Sequence, residues 1–324
     1  MCKKNNFVLH PDLLHKNKNK SPIFRKPGSN APANDMRRIY LISTDHLEEG
    51  LWFREEIDFK VAMNYIAIQA AQCPGVVILA FILMSNHVHF VLKGEREEVI
   101  AFINQFKHRY SMYYRQKYGI REFLRGNNLD VKDVCADNEG LEKAIAYVQM
   151  NSVAANICSF AGQYPWGTGS VFFDVSKTTG RRLGDLSGRE KERLLRTNYS
   201  NLPSDWIIGE DGYILPSSYV NTKYVEALFR TPKRMNFFLN HSSKAKKQLE
   251  GETNLPAFRD QIILAALPDL CRSLFQKATV LELAIDELSE LAKQIRFRFS
   301  ADANQIARVC GVSYSEAARL LDTV

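Results

Sequence analysis

From Gly75 to Met84 the chain is apolar at all ten positions. That is long enough for a buried strand and far too short to cross a bilayer. Ser85-Asn86 is a turn signal, and His87 to Leu92 resumes with a two-residue period. Alternate side chains of a strand share a face. Val88, Phe90 and Leu92 are therefore expected to point into the core and His87 and His89 to the opposite side. Around this pair, Arg38 to Ser43 reads as a first strand. Glu55 to Gln72 reads as a helix (apolar at Ile57, Val61, Tyr65, Ile66 and Ile68) stopped by Cys73-Pro74-Gly75. Gly94 to Glu98 is an acidic helix start, Val99 to Tyr118 a basic and aromatic helix, Val131 to Val134 a short fourth strand, and Leu141 to Ile157 a further helix.

The order strand, helix, strand, strand, helix, strand predicts an α+β fold. It is a ferredoxin-like or RRM-like antiparallel sheet with helices on one face, followed by a mainly helical C-terminal region. The expected domains are a basic flexible arm over 1–36, the sheet domain over 37–170, a linker and accessory region over 171–256, and a helical domain over 257–324. Within the last, residues 303–321 have the look of a helix-turn-helix. Ile306 and Ala307 would face the core, Gly311 would sit in the turn and Ser313 would cap the second helix. A plain helical hairpin explains that stretch equally well.

The 324 residues carry a net charge of +7. Residues 1–38 alone hold nine Lys/Arg against two Asp, which is the whole excess. A basic arm suits a phosphate-backbone partner, and equally a solubilising tail. The six cysteines are far apart, with no CxxC pair. They read as thiols of a reducing compartment rather than a zinc site or a disulfide framework. No stretch reaches membrane-spanning length, and a cytoplasmic location without a membrane partner is expected.

Two imidazoles about 7 Å apart along a strand can converge on one cation. The helix LEKAIAYVQMNSVAANI places Tyr147 and Asn151 four apart, on one face. Packed on the sheet, it would present a phenol and a carboxamide oxygen to His87 and His89. Phosphodiester transfer needs these parts, a nucleophile and a cation that polarises the phosphoryl oxygen. His87, His89 and Asn151 would leave positions open on Mg2+ or Mn2+ for phosphate and water. Tyr110, Tyr113 and Tyr114 are rival nucleophiles. Beside Lys107, Arg109 and Arg115, however, Tyr110 and Tyr114 suit base stacking and phosphate contact better, and those five residues are the expected DNA contacts.

LMSNHVHFVLKG followed by AYVQMNSVAANI resembles the HUH single-tyrosine transposases, especially the REP-associated branch with its Met-Pro-Asn-His-x-His strand and Tyr-Ile-x-x-Asn-Pro-Val helix. The resemblance covers about residues 37–170. It implies His87 and His89 as metal ligands, Tyr147 as nucleophile and Asn151 as third ligand. It also implies cleavage of single-stranded or hairpin DNA through a 5′-phosphotyrosine. Ser85 and Ser152 stand where proline is usual. A catalytically inactive DNA-binding protein of the same fold is the second reading. A third is a metal hydrolase in which water attacks, but it would need a carboxylate base, and the helix offers only Glu142. A homodimer is left open.

Overall fold

The computed structural model describes residues 38–134, 138–174, 179–197, 199, 201–242 and 258–322. The expected basic arm, with Cys2, lies outside them. Four strands, β1 (Arg38–Thr44), β2 (Val77–Met84), β3 (His87–Gly94) and β4 (Leu129–Asp133), form an antiparallel sheet in the order β2-β3-β1-β4. This is the ferredoxin-like arrangement expected from the element order. Helices α1 (Glu56–Gln72) and α2 (Arg96–Tyr118) pack on each other and cover one face. Phe90 of β3 meets Phe102 and Phe106 of α2 edge-on there, while Trp52 and Tyr110 extend the aromatic core. The opposite face does not stay open. Helix α3 (Asn138–Gln149) lies across β2 and β3.

Helix α1 is buried on almost every side, because it lies between the sheet layer and the accessory region. At its start Asp58, 0 % exposed, accepts from Arg54 N and Glu55 N at 2.9 Å each. It also accepts from the Tyr113 and Tyr118 hydroxyls and from Lys117 Nζ, all at 2.7 Å. The carboxylate thus ties the first turn of α1 to the last turns of α2. Further along, Asn64 accepts from Ile214 N at 2.8 Å and donates to the carbonyls of Gly212 and Leu194.

The stretch expected as linker and accessory region therefore joins the first core. Leu183, Leu195, Ile214 and Phe229 are buried in it. Its elements are α5 (Gly188–Leu195), α6 (Thr222–Phe229) and α7 (Pro232–Asn240), after the four-residue α4 (Asn151–Ala154), and a short pair β5 (Arg181–Arg182) and β6 (Ile207–Ile208). Chain leaving the sheet domain pairs along the outer edge of β2, where Leu83 N donates to Trp166 O at 2.8 Å and Thr168 N to Phe81 O at 3.0 Å. Gly167 is required at this crossing, because a Cβ there would meet Phe81 O at 2.7 Å.

A second core is built by α8 (Asp260–Phe275), α9 (Ile285–Phe299), α10 (Ala303–Cys310) and α11 (Tyr314–Asp322), around Ile263, Leu291, Ile295, Ile306 and Leu320. Gly311 turns between α10 and α11 at φ +69°, and Ser313 Oγ accepts from Glu316 N at 3.2 Å. Two short helices thus meet at a tight turn, a geometry that a helix-turn-helix and a plain helical hairpin share. Gln261 links this unit to the first through Phe53 O at 2.7 Å.

Asp58→Ala would leave two phenols and an ammonium without their shared buried acceptor. Loss of one partner of such a buried ionic cluster costs about 3–5 kcal/mol. Urea denaturation should register a loss of that order, and a change below about 1 kcal/mol would show that the cluster does not hold α1 to α2.

Candidate active site

β3 is hydrogen-bonded on both edges. His87 pairs with Met84 of β2, and His89 with Ile82 of β2 and Ser43 of β1. Neither residue can move to the other face without the whole strand slipping. The two rings meet edge-on with centroids 4.7 Å apart. Asn86 prepares His87. Its Nδ2 donates to Leu47 O at 2.9 Å, so its Oδ1 is the atom 2.8 Å from His87 Nδ1. Oδ1 only accepts, so Nδ1 carries the proton and the lone pair of this imidazole sits on Nε2, the arrangement a metal-ligating histidine needs.

Tyr147 projects from α3 onto this pair, its ring edge-on to His89 at 5.6 Å between centroids. The helix is held in place from behind. Glu142, 0 % exposed, forms a two-pronged ion pair with Arg234 of α7, at 2.5 and 2.8 Å. That removes Glu142 as a base for attacking water. α3 does not run on to Ile157 as the sequence suggests. It breaks at Met150, because Asn151 Nδ2 donates to Tyr147 O at 2.9 Å and Val148 O at 3.2 Å, taking up carbonyls at the helix end. Oδ1 is then the Asn151 atom suited to a cation, and α4, which begins at Asn151, packs against β2.

Two residues that sequence reading missed join the site. His46 stacks on His87 with ring centroids 3.6 Å apart. Asp130 of β4 pairs with Ser43, itself paired with His89, so all three share a sheet face. Burial, and secondarily the Asp130 charge, push the Tyr147 phenol above its ordinary value. The signal for both residues was the antiparallel register, which places the chain just past β1 beside the start of β3.

The expected DNA contacts on α2 divide. Tyr110 and Tyr114 are corrected, being core residues. Their hydroxyls bond to the Trp52 and Leu51 carbonyls, at 2.5 and 3.0 Å, and Tyr114 stacks on Phe123. Neither ring face is available to a base. Lys107 is also buried, bonded to Asn127 O, and burial lowers its pKa. Arg109 donates to Gln72 Oε1 at 2.9 Å, while Arg115 is exposed. Among the described residues no group of three His, Cys, Asp or Glu is arranged to hold a metal. A centre here would rest on two imidazoles and a carboxamide, a donor set that suits a hard divalent cation completed by solvent and phosphate oxygens.

A four-stranded sheet thus sets two histidines of one strand against a helix-borne tyrosine. Residues 52–142 match the family model described as transposase, IS200-like, so this stretch is similar to the IS200-like transposases. The match spans under a third of the chain, includes His87 and His89, and stops five residues short of Tyr147. Among solved structures, a REP-associated tyrosine transposase bound to a REP hairpin is similar at 11% identity, over 44% of this chain and 82% of that one. The TM-score is 0.30. No curated protein matches. Among the described residues, no helix is long and apolar enough to cross a membrane.

If the Asp130 carboxylate reaches the phenol, Asp130→Asn lowers the Tyr147 pKa, because a nearby negative charge disfavours phenolate. NMR titration of ζ-13C-tyrosine-labelled protein reads this. An unchanged or higher value would take Asp130 out of the site.

Proposed function

We propose that this protein is a transposase that nicks and joins single-stranded DNA, with hairpin or palindromic ends as substrates, through a covalent bond to Tyr147. The observation that carries the reading is the Tyr147 ring set against His89, on a domain whose family match contains both histidines. His87 and His89 would hold the cation through ring nitrogens, and Asn151 through Oδ1. Bound there, Mg2+ or Mn2+ would polarise a phosphoryl oxygen and offset the charge of the attacking phenolate.

This chain's residues supply the rest. Asn86 fixes the His87 tautomer, and the Glu142–Arg234 pair holds α3 so that the phenol faces the histidines. Burial further favours the protonated phenol in the free protein, so the nucleophile must lose its proton during the step. In the step itself, the Tyr147 oxygen bonds to phosphorus as the bond to the 3′-oxygen breaks. The phenol proton passes to solvent, and the 3′-oxygen takes a proton to leave as a hydroxyl. One phosphodiester is exchanged for another, so attack by a 3′-hydroxyl reverses the step and joins DNA without ATP.

End-labelled single-stranded hairpin oligonucleotides with Mg2+ or Mn2+ should label the wild-type protein on a denaturing gel. Tyr147→Phe should abolish the band while DNA binding persists, and a retained band overturns the nucleophile. In calorimetric titration with Mn2+, His87→Ala should remove binding. Asn86→Ala should weaken it by about 10–100-fold, the usual cost of losing a ligand's outer partner. Equal Mn2+ affinity in all three proteins would remove the histidines from the metal site.

A further inference from the structure

On the far side of the helical layer from Tyr147, α1, α2 and the end of α5 enclose an open groove of about 800 Å3. Its walls are Tyr65 and Gln69 of α1, Arg109, Met112 and Tyr113 of α2, and Arg196, which follows α5 at φ +51°. Two guanidiniums lie over tyrosine rings, Arg109 over Tyr65 and Arg196 over Tyr113, each 5.8 Å from the centroid. The rings act as shelves that fix the cations at the groove. Among the described residues no carboxylate lines it.

Amides lie beneath and beside these cations. Gln69 is 0 % exposed, and its Nε2 donates to Gln105 Oε1 at 2.6 Å and to Cys73 Sγ at 3.0 Å. Its Oε1 has no donor, and the buried Nε of Arg109 has no acceptor. Both atoms are inaccessible to solvent, so the polar surface of the groove is carried by the outer guanidinium nitrogens and the neighbouring amides. A phosphodiester suits the guanidiniums, whose planes also stack on bases. Met112, 61 % exposed, adds an apolar rim.

We propose that this groove binds single-stranded DNA, with successive phosphates on the Arg109 and Arg196 guanidiniums and the intervening base against the apolar rim. It would anchor strand away from the reacting phosphodiester, on the face of the domain opposite the histidines. The proposal rests on the DNA-processing reading above, and it is tested by a readout separate from Tyr147 chemistry.

Fluorescence anisotropy of labelled single-stranded oligonucleotides on the full chain would compare wild type with the double variant Arg109→Gln/Arg196→Gln. The expected result is weaker binding and a salt slope of log K reduced by about 1.4, about 0.7 for each of two phosphate contacts. Gln116→Glu, at the exposed rim, removes neither guanidinium and should weaken binding in the same direction. It keeps the test decisive if the double variant loses its thermal transition. Wild-type affinity and slope in folded variants overturn the groove, even if Tyr147-dependent labelling persists. No single-stranded DNA binding by the wild type overturns both readings. Displacement by a mononucleotide as potent as the oligonucleotide also overturns the proposal and reassigns the groove to a free nucleotide.

Discussion

The whole site depends on β3 being paired on both edges. A strand bonded to one neighbour can slip by a residue at modest cost. Here a slip would break the ladders to β1 and β2 together and exchange His87 and His89 for Val88 and Phe90. The same pleat that drives Phe90 into α2 therefore aims the imidazoles at α3. Core packing and site chemistry are two faces of one strand.

Holding α3 over that strand is a separate task, and the chain does it with polar groups. Buried Glu142 is matched by Arg234 from nearly a hundred residues later, and Asn151 finishes the helix with its own carboxamide. The accessory region is thus a structural support for α3 and its Tyr147, because α7 supplies the cation without which Glu142 would be an uncompensated buried charge.

The strands, the histidine face and Tyr147 were legible because period-two alternation and four-residue helix spacing are local signals. The break after Gln149 was not, since an asparagine inside a good helical sequence gives no sign of whether its amide will take up end carbonyls. Asn64, bonded to Ile214, shows why residues 171–242 resisted reading: their partners lie far back in sequence, and their apolar positions follow no single period. The tyrosines of α2 misled because their basic neighbours suggested a surface. Yet Phe102, Phe106, Tyr110 and Tyr113 at spacings of four, four and three already formed a core stripe. His46 and Asp130 become visible only once strand register is known.

The segment around Gly167 seals the outer side of β2, so the sheet is finished on that flank. Growth of the sheet by an incoming strand is confined to β4, five residues long and bearing Asp130, Lys132 and Asp133. Short, charged edges discourage strand addition. Any strand that did add there would settle beside Asp130, whose charge bears on the Tyr147 phenol, coupling self-association to the candidate site.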